Sequence, residues 1–213
     1  MARTLSQILI DAQAYLDLEA VEPTGDDLTV RVAYAQQAVR EWADSYQWRG
    51  LTQKENIYFT NATASFPTNF KELTTISTDA NGNQYPQILP GETVYKTSSD
   101  KYLYIEGNEA MGFTTTTNGL ASLATLSITY QRQPSNMATL SDNCEVPDDG
   151  FVIKKVISLV LQSRSDERFP IVEADSQRLL RNMIGREMVR TPGGDMKVRR
   201  VGSSGWGIGK PRG

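Results

Sequence analysis

The chain has 213 residues and a mass of 23.7 kDa, with 39% apolar residues, 22% charged residues and a formal net charge of -3. That balance suits a globular chain long enough to bury a core without disulfides or metals, and it argues against nucleic-acid binding driven by bulk positive charge. There is one cysteine, Cys144, and no histidine, which excludes an internal disulfide, cysteine-based zinc sites and the Ser-His and Cys-His nucleophile pairs.

The composition therefore points away from hydrolytic enzymes. No stretch approaches the ~18–20 continuous apolar residues of a membrane span. The first five residues, Met1-Ala2-Arg3-Thr4-Leu5, lack the apolar core of a signal peptide, so the chain reads as made and folded in the cytoplasm.

In chain order, Leu5, Ile8, Leu9, Ala12 and Leu16 recur at the three-and-four spacing of one helix face. Residues 19–27 hold Pro23, Gly25 and four acids, which predicts a loop. A second helix follows, capped by Asp26 or Asp27, with the apolar stripe Leu28, Val32, Ala35, Val39, Trp42 and Tyr46. It is expected to end near Trp48, with Gly50 in the left-handed terminal position. The simplest arrangement is two antiparallel helices joined by the acidic loop.

From Gly50 to about Pro134 the chain is rich in Thr, Tyr, Asn, Ser and Gly, and short β-type runs alternate with turn signals. Strands are predicted at residues 55–60, 73–77, 93–96, 101–106 and 124–131. Turns are predicted at Asn81-Gly82-Asn83, Pro90-Gly91, Glu106-Gly107-Asn108 and Asn118-Gly119. Leu126, Ile128 and Tyr130 alternate with Ser127, Thr129 and Gln131, the pattern of a half-buried strand.

Helix returns after Val146-Pro147-Asp148-Asp149, where either aspartate can cap it. Val152, Val156, Leu159 and Val160 share a face that Ile153 and Ile157 widen, and Lys154 and Lys155 are placed on the thin polar side. Pro170 opens a last helix with a looser apolar face of Ile171, Ala174, Leu179, Met183 and Ile184. Its outer side carries Arg178, Arg181, Arg186 and Arg190. Residues 191–213 hold seven of the 16 glycines, with five basic residues against one acid; the other 190 residues carry 17 basic and 24 acidic residues, so a +4 tail follows a -7 body.

The tail has no periodicity, yet it contains Met196, Val198, Val201, Trp206 and Ile208. It reads as an extended docking arm, with Val198, Trp206 and Ile208 as anchors and Arg199, Arg200, Lys210 and Arg212 meeting acidic surface or phosphate. The plainer alternative is a disordered basic terminus. Gly205-Trp206-Gly207-Ile208-Gly209 lacks the flanking strand and helix of a phosphate-binding loop. Glu145, Asp148 and Asp149 are explained by capping and solvation of a helix start. Tyr58, Tyr85, Tyr95, Tyr102 and Tyr104 could form a stacking platform, or be ordinary strand composition.

The assembled order comprises Ala35-Gln36-Gln37-Ala38-Val39-Arg40-Glu41-Trp42, Trp48-Arg49-Gly50-Leu51, Phe66-Pro67-Thr68-Asn69-Phe70-Lys71-Glu72-Leu73, Tyr102-Leu103-Tyr104-Ile105, residues 127–134, and Val146-Pro147-Asp148-Asp149 before an apolar helix. This resembles the head-to-tail connector proteins of tailed bacteriophages, the adaptors beneath the portal. It is most similar to the subset with a β insertion between helices, as in the tail tubular proteins of short-tailed phages. The resemblance covers nearly the whole chain, through diffuse patterns.

It implies an α+β fold: an antiparallel helical bundle in residues 1–49 and 141–190, an inserted small antiparallel β-sheet or barrel in 50–140, and an extended arm in 191–213. It implies a structural virion protein of the neck, assembled in the host cytoplasm, with no enzymatic activity and no cofactor or metal. About twelve copies would form a ring beneath the portal and extend a DNA channel that makes no sequence-specific contact. The arm (Met196, Lys197, Val198, Arg199, Arg200, Val201, Trp206, Ile208, Lys210 and Arg212) would bind the portal protein. The β insertion, with Tyr58, Tyr85, Tyr95, Tyr102 and Tyr104, would face tail, nozzle or fibre proteins. The alternatives are a receptor- or glycan-binding module built on that insertion and, with no motif in support, an enzyme with a carboxylate pair.

Overall fold

The computed structural model describes residues 2–17, 20–108, 112–120 and 124–189. The chain is α+β. Among the described residues, helices α1 (Leu5–Asp17) and α2 (Gly25–Ser45) come first, then eight strands, then α3 (Asp149–Ser163) and α4 (Phe169–Val189). The strands are β1 (Thr52–Tyr58), β2 (Thr63–Ser65), β3 (Phe70–Leu73), β4 (Ser77–Asp79), β5 (Gln84–Tyr85), β6 (Tyr102–Asn108), β7 (Gly112–Asn118) and β8 (Thr125–Arg132).

The predicted face of α1 is the buried one: Leu5, Ile8, Leu9, Ala12 and Leu16 all enter the core. Its first free amides are satisfied from outside the helix, Leu5 N donating to Asp142 O at 2.9 Å and Ser6 N to Leu140 O at 3.0 Å. Arg3 pairs with Asp149 at one end of α3, and Asp17 with Arg164 at the other, so α1 runs alongside α3 in the same direction. The contact of α1 is broader with α3 than with α2.

Helix α2 buries Ala35, Ala38, Val39, Trp42 and Ala43. Its N-cap is Thr24, without a side-chain hydrogen bond, and Asp26 and Asp27 lie in the first turn, where they complement the helix dipole. It ends at Ser45, earlier than predicted. Gly50 sits in a 3-10 turn, Arg49–Leu51, and its φ is not left-handed. The Trp48 ring folds back onto Trp42, with centroids 5.1 Å apart, and its Nε1 donates to Trp42 O at 2.7 Å.

In α3, Val152, Val156, Ile157 and Val160 are buried as predicted, but Lys155 is buried with them. The apolar face of α4 holds Met183 as predicted, with Leu179 and Ile184 half-buried against the core, but differs from the predicted one in its first turns. Val172, Ser176, Leu180 and Met183 point inward, while Ile171 is 70% exposed and Ala174 faces solvent. Packing against α3 fixes this face; the β-branched pair Ile171 and Val172 left both choices open.

The strands form two antiparallel sheets, where one sheet or barrel was expected. The larger has the order β1-β8-β4-β5, with β3 also pairing β8; the smaller is β2-β7-β6. Strand β8 is the spine. Tyr130 faces Gln53 of β1, and its other edge carries Leu73 of β3 and then Thr78 of β4, opposite Ser127. Leu126, Ile128 and Tyr130 are buried, as their alternation requires.

Residues 73–77 are not one strand, because the backbone breaks between β3 and β4. Residues 93–96 are not a strand either: Pro90–Tyr95 is a 3-10 turn, started by the proline and closed by a hydrogen bond of 2.9 Å from Leu89 N to Glu92 Oε2. Strands β2, β5 and β7 escaped the sequence reading. The predicted turn at Glu106-Gly107-Asn108 is the end of β6, where Gly107 has φ +96° and a Cβ would lie 2.3 Å from Gly112 O.

Two separate apolar clusters result. One joins all four helices with Met137, Cys144 and Val146. The other lies between the sheets around Phe59, Phe66, Phe70, Tyr85, Leu103 and Tyr130. Polar bonds link the two regions. Lys71 Nζ donates to Ala43 O at 2.8 Å and pairs with Asp44 at 2.5 Å, and Gln131 Nε2 donates to Trp48 O at 2.8 Å.

Candidate functional site

Charged residues among the helices are mostly committed to one another. Lys155 is 7% exposed and lies 3.0 Å from Glu41 of α2 and 2.7 Å from Glu173 of α4. Ser158 Oγ donates to Glu173 at 2.6 Å, and Gln177 Nε2 donates to Glu41 at 2.8 Å and to Glu173 at 3.0 Å. Burial works against charge on Lys155, but the hydrogen bonds to Glu173 and Glu41 outweigh it and raise its pKa. Burial likewise opposes charge on Glu173, and the bonds from Lys155, Ser158 and Gln177 hold its pKa low. An ammonium tied between two carboxylates is a clamp for three helices, with no free base or nucleophile.

The sequence placed Lys155 on the polar side. Its spacing of three from Val152 already puts it on the apolar face, and that was the signal missed.

Arg31 is a second buried cation, 1% exposed, bonded to Gln13 of α1 and 2.7 Å from Asp27. It fixes the corner between α1 and α2. The carboxylates weighed as a catalytic or metal cluster are dispersed in the same way. Glu145 takes a bidentate pair from Arg132 at 3.0 and 3.2 Å and two bonds from Ser135. Burial opposes its charge, but these bonds win and lower its pKa. Asp149 pairs with Arg3 at 3.3 Å, and Asp148 is the N-cap of α3. No group of three or more metal-ligating side chains gathers among the described residues.

The five tyrosines do not share one platform. Tyr85 is 1% exposed and packs in the β core, so it offers nothing to a partner. Tyr102 and Tyr104 are half-buried on β6, Tyr58 is 75% exposed at the end of β1, and Tyr95 is 86% exposed at the end of the 3-10 turn. The arm residues Met196, Lys197, Val198, Arg199, Arg200, Val201, Trp206, Ile208, Lys210 and Arg212 lie outside the described residues.

The surface of the described residues includes a cleft and a groove. A cleft of about 350 Å³ between α2 and the strands is lined by Arg40, Asp44, Lys71 and residues 133–137. A shallower groove of about 610 Å³ lies between β1 and β2. The cleft sits over the Lys71–Asp44 pair and is mostly polar, so it offers no concentrated chemistry. No helix among the described residues is long and apolar enough to cross a membrane.

The arrangement therefore consists of internal clamps and exposed edges. Residues 3–187 match the family model described as SU10 adaptor protein, from just before α1 to the last turn of α4. None of the curated proteins matches the chain.

Proposed function

The chain belongs to the SU10 adaptor protein family, phage head-to-tail adaptors, and from that premise we propose that it forms the ring beneath the portal. Membership gives it a structural role among phage head and tail proteins at the virion neck. In the finer reading, about twelve copies close into a ring that extends the DNA channel. The helices of residues 1–49 and 141–190 build its wall. The strands of 50–140 form an inserted unit facing tail components, and residues 191–213 dock on the portal protein. The observation that carries this reading is the family match across both helices and strands.

Electrostatics support it. The acidic body, with 24 acids against 17 basic residues outside the tail, repels phosphate and lets DNA slide. The tail combines apolar anchors with positive charge, which suits a protein surface with acidic rims. Replacing Trp206 and Ile208 together by alanine is expected to weaken retention by immobilised portal at least about tenfold while the melting temperature stays unchanged. Retention equal to that of the unaltered chain would remove the arm from the account.

A further inference from the structure

Strand β1 pairs with β8 along one edge only. Its register, with Glu55 opposite Ile128 and Ile57 opposite Leu126, continues into a hydrogen bond of 3.0 Å from Phe59 N to Ala124 O. Opposed residues of an antiparallel pair alternate between bonded and unbonded. The backbone groups of Gln53, Glu55 and Ile57 therefore turn toward β8, and those of Lys54, Asn56 and Tyr58 turn outward. Thr74 fits this parity: from the other side of β8, its N–H reaches the carbonyl of Thr129, the residue opposite Lys54, at 2.9 Å.

Across the groove β2 is built the same way. Phe66 N donates to Phe113 O and Thr117 N to Ala62 O, both at 2.9 Å, which turns the backbone of Ser65 away from β7. The two strands leave one tight turn, closed by Thr60 and Thr63, and diverge into different sheets. Between them lies the groove of about 610 Å³. No described residue hydrogen-bonds to the outward backbone groups of Lys54, Asn56, Tyr58 or Ser65. An extended strand satisfies such groups through its own backbone and demands little of its side chains.

The place where the chain leaves α4 indicates which strand this is. Arg49 N, three residues before the start of β1, donates to Glu187 Oε1 in the last turn of α4 at 3.1 Å. The tail therefore departs beside this edge. Residues 190–195, with Pro192, Gly193 and Gly194, span up to about 20 Å, enough to carry the chain to Lys54, two residues into β1. In a tail without overall periodicity, Met196-Lys197-Val198-Arg199 then alternates apolar and basic. A strand needs that pattern to turn one face to Ile57 and Phe66 on the groove wall and the other to water. We propose that residues 196–201 pair, within the same chain, with the outer edge of β1. Trp206 and Ile208 lie beyond the pairing and stay free for the portal docking proposed above. The short tether keeps the segment at high local concentration, which favours its own β1 over a neighbour's.

The test is residue-resolved hydrogen exchange on the full-length chain. The amides of Lys54, Asn56 and Tyr58 are expected to be protected, and to remain so on dilution, as pairing within one chain requires. Adjacent residues of a strand point their N–H groups to opposite sides. One of Lys197→Pro and Val198→Pro, made separately, must therefore delete a bond to β1 whatever the register. That variant should exchange the three amides about tenfold faster, while those of Gln53 and Ile57, bonded to β8, keep their rates. Trp206→Ala should leave all five unchanged, so this pairing and the portal docking fail separately.

Exchange of the three amides at open-chain rates in the unaltered protein would overturn the proposal. Protection that neither proline lowers would overturn it too. Protection lost on dilution would assign the edge to another copy and overturn the pairing within one chain.

Discussion

Lys155, Glu41, Glu173 and Arg31 tie the helices together from inside, whereas the strands leave Tyr58, Leu89, Val94 and Tyr95 in solvent. The helices bury charge, and the large apolar side chains they expose, Tyr15, Val30, Ile171 and Val189, are scattered, whereas the strand region gathers Leu89, Val94 and Tyr95 on one turn. The helical side closes around a single large cluster to which all four helices contribute. The strand side divides a smaller cluster between two sheets. In the proposed ring the difference separates labour: a wall would have to hold its shape, and a docking region to keep something to dock with.

The sharpest way to break the comparison is Lys155→Met, which fills the space but leaves Glu41 and Glu173 without their cation. The two glutamates keep 30% and 26% side-chain exposure, so we expect a loss of about 2–3 kcal/mol, below that of a fully buried pair. The pH dependence has a definite sign. The lowered pKa of Glu173 stabilises the fold above its ordinary 4.5, and that share is lost as pH falls through the lowered value. The raised pKa of Lys155 adds stability present below 10.5 and lost as pH rises past its higher folded value. In the variant the bonds from Ser158 and Gln177 remain but that of Lys155 is gone, so the pKa of Glu173 is lowered less and the deficit should narrow as pH falls below 4.5. Urea unfolding at pH 7 and pH 4 checks both; a deficit that is equal or larger at pH 4 would contradict the clamp.

A smaller effect is expected in the strands. The Tyr130 hydroxyl lies 3.0 Å from Gln53 Oε1 and 3.2 Å from Glu55 Oε2, and burial followed by the bond to Glu55 pushes its pKa up to about 12. Tyr130→Phe should cost about 1 kcal/mol, as one hydrogen bond is lost and the ring stays packed. A loss matching that of Lys155→Met would erase the contrast between the two regions.

Legibility in the sequence followed the same division. The helices announced themselves through apolar spacing, and α1 buries the residues that spacing selects. On α4 the neighbouring Ile171 and Val172 are equally apolar, so only contact with α3 decides which turns inward. Strand β8 was visible because its alternation is strict. Strand β7 was not, since Thr114, Thr115, Thr116 and Thr117 look alike although Thr115 and Thr117 are buried. The run Thr93-Val94-Tyr95-Lys96 has strand composition, but Pro90 and the Glu92 cap turn it into a 3-10 helix. The clamp around Lys155 joins residues more than a hundred positions apart, and no local pattern encodes such a pairing.

The measurement that reaches the central claim most directly is the mass and negative-stain image of the chain co-expressed with the portal protein encoded beside it, full length against a chain ending at Arg190. The account predicts a ring-shaped complex with the portal for the full-length chain and its loss on truncation. A monomer that ignores the portal in both forms would contradict it.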